Sequence, residues 1–177
     1  MAMSALPPVK DLPTVTPEGE RLGSRIDGVI IRRAVTQTDE RGTLCEILNP
    51  AWGVHPMPLA YVYQFTIRPG KIKGWHRHRL HDDRIFISLG EVLVVLYDDR
   101  PASPTRGQIN EIFRSGLERD LMVIPAGVYH AHQNVGASDA LFISMPTRAY
   151  EHGDPDVYRL PVQNDVIPYS FTDRPGR

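Results

Sequence analysis

The chain has 177 residues, with 20 Lys and Arg against 21 Asp and Glu, and this balance gives no reason to expect nucleic acid or an anionic membrane as partner. The length is that of one domain, which at roughly 70% burial of its unfolded surface builds a core without staples. A single cysteine, Cys45, excludes an internal disulfide and is expected as a small strand residue in the core. No apolar run approaches the ~20 residues of a bilayer span, and the first residues lack an apolar stretch of signal-peptide length, so a cytoplasmic protein is expected.

In chain order, residues 1–23 are rich in Pro and Thr and read as an extended arm, suited either to disorder or to pairing with a partner subunit. Runs of β-forming residues follow at 28–34, 43–48 and 59–68. Those at 84–89 and 91–97 flank a tight turn at Gly90, and further runs cover 108–113, 121–124 and 140–145. No window of helical length sustains a 3.6-residue apolar repeat. Regularly spaced strands without helices predict a sandwich or barrel over residues 24–150. The proline-punctuated residues 151–177 are expected to pack over it as short turns.

Five of the seven histidines fall in two places, His76, His78 and His81, then His130 and His132. In a strand, residues i and i+2 share a face. Each pair can therefore point into a barrel, and two such strands can converge on one metal or one substrate. Trp75 then faces away from His76 and is expected in the core. The outward Arg77 and Arg79 are expected to meet water rather than phosphates.

These residues resemble the cupin superfamily. Gly70, His76, His78, Asp83 (where Glu is usual) and Gly90 fit its first motif, and Pro125, Gly127, His130 and Asn134 fit its second. The resemblance implies an all-β, antiparallel jelly-roll barrel, the double-stranded β-helix. Where cupins hold a metal, the matching residues are His76, His78, Asp83 and His130. Such a set suits a divalent transition metal, Fe, Mn, Ni, Co or Zn.

A narrower resemblance, from about Ile26 to Asp173, is to the dTDP-4-dehydrorhamnose 3,5-epimerase family. Its pieces are Asp39-Glu40-Arg41-Gly42 with Glu46, Lys73-Gly74-Trp75-His76, Gly90-Glu91-Val92, and the stretch Asp98 to Gly107 containing Ser103-Pro104-Thr105. Ile124-Pro125-Ala126-Gly127 with His130, Thr147 with Tyr150, and Ser170-Phe171-Thr172-Asp173 complete it. The resemblance implies an enzyme without cofactor that acts on a nucleotide-activated sugar as a homodimer joined through its N-terminal strands. His76 is implied as the base and Asp173 as the carboxylate that orients it. Arg41, reaching from a neighbouring subunit, is implied to contact phosphates, and Arg84 to polarise the ketone. Glu46, Lys73, His130 and Tyr150 are the remaining implied substrate contacts.

The family's acid is a Tyr, and Ser144 stands in its place, with Tyr129 and Tyr150 as candidate substitutes. A serine hydroxyl is a poor proton donor beside a phenol of pKa ~10. Three readings stay open: a nucleotide-deoxysugar epimerase or isomerase, a metal-dependent cupin with oxygenase or isomerase chemistry, and a sugar-binding barrel without catalysis.

Overall fold

Val92-Leu93-Val94-Val95-Leu96 is apolar at every position, the pattern of a strand buried on both faces. A computed structural model, describing residues 10–19 and 22–171, shows why both faces are covered. The strands are β1 (Ile30–Arg33), β2 (Thr36–Asp39), β3 (Gly42–Cys45), β4 (Tyr63–Ile67), β5 (Ile72–Arg77) and β6 (Asp83–Leu89). They continue as β7 (Val92–Asp98), β8 (Ile109–Arg114), β9 (Asp120–Ile124), β10 (Val128–Asn134), β11 (Ala140–Ser144) and β12 (Tyr158–Arg159). Two five-stranded sheets, β1-β9-β6-β11-β4 and β12-β5-β10-β7-β8, form the jelly-roll barrel, with all pairings antiparallel. The one helical element among the described residues is a 3-10 turn, Pro50–Trp52. No described helix is long and apolar enough to cross a membrane.

Alternation along each strand divides the core into three. Ile85, Ile87, Val94, Leu96 and Phe142 fill the space between the sheets. Trp75, Leu93, Val95 and Tyr129 face outward from the second sheet, where Ile167 and Phe171 of the C-terminal segment cover them. Phe86, Leu121 and Met145 face outward from the first sheet beneath Ile47, Leu48 and Val54. This third layer explains why the run expected at 43–48 leaves the strand after Cys45: Ile47 and Leu48 are needed as cover. Cys45 itself is half-buried at that edge. The hairpin β2–β3 is a separate two-stranded sheet, exposed at nearly every residue.

Arg77 and Arg79 do not simply meet water. The Arg77 guanidinium lies 4.5 Å over the Tyr129 ring and 2.9 Å from Asp99, and that of Arg79 lies 4.2 Å over Tyr158. Long cationic side chains on an outward face bury their stems and ring-facing heads while staying wet. The Ser103-Pro104-Thr105 stretch serves structure. Asp98, fully buried at the end of β7, accepts from Arg100 Nε at 2.9 Å, Ser103 Oγ at 2.5 Å and Thr105 Oγ1 at 2.7 Å. Thr105 Oγ1 in turn receives the Asp27 N–H at 2.9 Å, which ties the entering chain to this loop.

The pairing of β5 with β10 contains a bulge. His130 opposes His76 and His132 opposes Lys73, so three residues of β5 span two of β10. The extra residue is accommodated at Gly74, where an added Cβ would lie 2.3 Å from the Ala131 Cβ and 2.5 Å from its Cα. Gly74 also has φ +147, where a side chain is strained. Gly74→Ala is expected to cost about 2 kcal/mol or more. Gly116→Ala, which meets nothing within 4 Å, is expected to stay within about 0.5 kcal/mol of wild type. Urea denaturation of the two variants checks the pair.

Candidate active site

On β5 the parity after the bulge turns His76 and His78 inward, and on β10 it turns His130 inward beneath them. Asp83 opens β6 from the opposite sheet. One ligand atom from each of His76, His78, Asp83 and His130 lies within 4.8 Å of the others. Asp83 Oδ2 is 3.2 Å from His78 Nε2 and 3.1 Å from His130 Nε2. The rings of His76 and His130 are edge-to-face at 4.0 Å. His76 and His78 line a cavity of about 640 Å³, whereas the deeply buried Asp83 and His130 lie under it.

The electrostatics follow from this packing. Burial alone would raise Asp83, but its bonds to His130 and His78 and their charge win and hold its carboxyl well below the usual range. Burial opposes charge on His78, yet Asp83 and the Asp156 carbonyl, 2.5 Å from its Nδ1, push its pKa up. His76 goes the other way. Burial, then the neighbouring His130 and His132, push it well below 6.5, with Asp83 opposing. His76 is therefore neutral near pH 7.

A second layer joins the site to the loop before β12. The Asp156 carboxylate accepts from the backbone N–H of Arg79 at 2.9 Å and of Leu80 at 2.8 Å. It also lies 2.9 Å from His81 Nδ1. β12 continues the second sheet, and its Arg159 directly opposes His76, so both share the cavity face. Tyr61 and Tyr63 line the cavity from the β4 side, and Arg148, Tyr150 and His152 from the segment after β11.

Several expected residues are not in this cavity. Parity on β6 turns Asp83 inward and Arg84 outward, so Arg84 cannot polarise a substrate ketone. Its guanidinium donates instead to the carbonyls of Met145 at 2.7 Å, Met57 at 2.9 Å and Pro58 at 2.9 Å. Tyr129 likewise faces outward into the second-sheet cluster and is excluded as the acid. His130 is sealed below His76 and does not line the cavity. Arg41, on the exposed hairpin, bonds Asp39; Glu46 is exposed beyond it; neither lines the cavity of its own chain. The Lys73 ammonium sits 5.3 Å from the Phe65 ring, outside the cavity lining. Asp173 lies outside the described residues, and among those described nothing hydrogen-bonds the buried His76 Nδ1. Of the residues missed, Tyr61 and Tyr63 carried an i, i+2 signal like that of the histidines. Arg159 and Asp156 carried none, since they reach the site only through the return of the chain onto β5.

Fold and site together define an antiparallel barrel enzyme of cupin shape with a histidine–carboxylate cluster between its sheets. The profile of the dTDP-4-dehydrorhamnose 3,5-epimerase family matches residues 23–163. The chain is 31% identical over 137 residues to the probable low-salt glycan biosynthesis epimerase Agl13 of Haloferax volcanii, covering 77% of this chain and 88% of that protein. It is 29% identical over 148 residues to the spore coat polysaccharide biosynthesis protein SpsL of Bacillus subtilis, covering 82% and 96%. Among solved structures, a dTDP sugar isomerase from Desulfovibrio desulfuricans shares the fold with a TM-score of 0.77 at 24% identity, over 85% of this chain and 94% of that one. The chain belongs to the dTDP-4-dehydrorhamnose 3,5-epimerase family.

His132, below the cluster between Phe65 and Phe142, has neither ring nitrogen hydrogen-bonded. Burial, then the His130 charge, lowers its pKa to about 3 from 6.5. The folded form thus stays neutral where the unfolded chain takes up a proton. Stability from this group is complete above pH 6.5 and is lost as pH falls toward 3, at about 1 kcal/mol per pH unit. His132→Leu should flatten that acid limb, as read by chemical denaturation between pH 3 and 7.

Proposed function

We propose that this protein is a nucleotide-deoxysugar epimerase or isomerase that removes a proton from a carbon next to the 4-keto group of its substrate. One observation carries the reading: His76 lines a cavity sized for a small ligand and is held neutral there, so it can accept a proton near pH 7. The Asp83 carboxylate lies under it and offsets the charge His76 gains. Arg159, on the same face, offers a cation to the enolate oxygen or to the substrate's phosphates. The Legionella pneumophila 3,5-epimerase, whose structure holds dTDP-4-keto-L-rhamnose, shares the fold with a TM-score of 0.69 at 23% identity, over 78% of this chain and 76% of that one.

A second reading has its own observation. The Nδ1 atoms of His78 and His130 each face a backbone carbonyl, of Asp156 and of Val128 at 3.1 Å. A proton on each Nδ1 leaves the Nε2 lone pairs aimed at the Asp83 carboxylate. Lone pairs and a carboxylate repel unless protons or a cation stand between them. His76, His78, Asp83 and His130 therefore fit a divalent transition metal. Such an ion would supply Lewis-acid polarisation of a ketone oxygen, and His76 could not then act as free base.

We also propose a homodimer, with the exposed β2–β3 hairpin carrying Arg41 toward the cavity of the partner subunit. Val35 and Leu44, 71% and 61% exposed, supply apolar surface beside and on it. Light scattering at micromolar concentration should give twice the 19.9 kDa chain mass; a monomer there removes the proposal.

Incubation with a dTDP-4-keto-6-deoxyhexose in deuterated water tests the chemistry. As base, His76→Ala lowers deuterium entry into the ring by about 10²–10⁴, and His78→Ala lowers it far less. If His76 and His78 are metal ligands, both variants lose activity together, and elemental analysis finds a divalent ion in wild type that is missing from both.

A further inference from the structure

An epimerase of this kind needs a proton donor on the ring face opposite its base, and Ser144 stands where the family places a Tyr. Ser144 Oγ is buried, and no serine hydroxyl substitutes for a phenol at neutral pH. The register of β4 against β11 supplies another phenol. Tyr63 directly opposes Ser144 across this antiparallel pair, so the two side chains leave the same face of the sheet side by side. That face is the inner one, since Phe65 and Ile67 follow at the same parity and pack in the central cluster.

We infer that Tyr63 is the catalytic acid of this chain, its phenol delivered from β4 to the place vacated on the neighbouring strand β11. The inference rests on the epimerase reading of His76. Tyr63 and His76 line one cavity from opposite sheets, β4 at the edge of the first and β5 in the second. A sugar ring held between them presents one face to each. Burial, opposed more weakly by the Ser144 hydroxyl, raises the Tyr63 pKa above 10, and the charge of Asp83 adds to the rise. The phenol thus carries its proton at neutral pH. Tyr63 is 40% exposed and lines the cavity, within reach of a ligand.

The proton balance closes. His76 takes the ring proton, and the C–H electron pair moves into the enolate with its charge on the 4-oxygen. Tyr63 O–H then protonates the same carbon from the other face and becomes phenolate. The imidazolium proton returns to the phenolate through cavity water, and the enzyme is restored with no other reactant.

The test separates abstraction from inversion. With a dTDP-4-keto-6-deoxyhexose in deuterated water, Tyr63→Phe should lower the inverted product by about 10² or more. Deuterium should still enter the uninverted substrate within tenfold of the wild-type rate, because His76 removes and returns a hydron on its own face. A merely structural role for Tyr63 would reduce both rates together. Tyr129→Phe, a phenol lost outside the cavity, should change neither. Inversion by Tyr63→Phe within tenfold of wild type overturns the assignment, and so does a loss of exchange equal to the loss of inversion. A wild-type protein that neither exchanges nor inverts overturns the epimerase reading itself, and Tyr63 as its acid falls with it.

Discussion

A carboxylate with 3% of its surface exposed stays charged only where positive charge or hydrogen-bond donors face it, and the groups that face Asp83 are the imidazoles of His78 and His130, 3.2 and 3.1 Å away. Other features of the site hang from that requirement. His78 must present Nε2 to Asp83, so its Nδ1 is held by the Asp156 carbonyl. Asp156 must then be fixed, and its carboxylate caps the backbone at Arg79 and Leu80 and holds His81. That clamp brings the chain back onto β5, where β12 adds Arg159 opposite His76. One buried charge thereby links both sheets and the C-terminal segment to a single cavity.

Apolar and ionisable side chains share the barrel interior. Ile85, Val94, Leu96 and Phe142 pack between the sheets, with His132 edge-on to Phe142. The same inward parity yields Asp83, His76, His78 and His130. A low-dielectric floor strengthens the field of Asp83 while keeping His76 neutral, the combination a base needs before it gains a proton. The bulge at Gly74 belongs to the same design. Without the extra residue, Lys73 and His76 could not both share faces with inward residues of β10.

Much of the site was legible locally. Strand parity alone puts His76 with His78 and His130 with His132, and the resemblance of their surroundings to the cupin motifs implied a barrel. The error over Arg84 shows where local likeness stops. Its neighbourhood in sequence matched a position for a ketone-polarising cation, but one step of parity turned it into the layer beneath Met57 and Pro58. The Ser-Pro-Thr stretch, one of the pieces that resemble the family, is a cradle for the buried Asp98.

By itself, the sequence determined the all-β class, the inward faces of the histidine strands, and membership of a family whose motifs run along most of the chain. These are matters of period two and of short spacings, set by backbone geometry within a few residues. Only the tertiary structure decided which strands are neighbours. Tyr63 meets Ser144 across a sequence gap of 81 residues, and Arg159 meets His76 across 83. Such pairings are fixed by cross-strand register and by the closing of the barrel, and no local pattern in either strand records its partner.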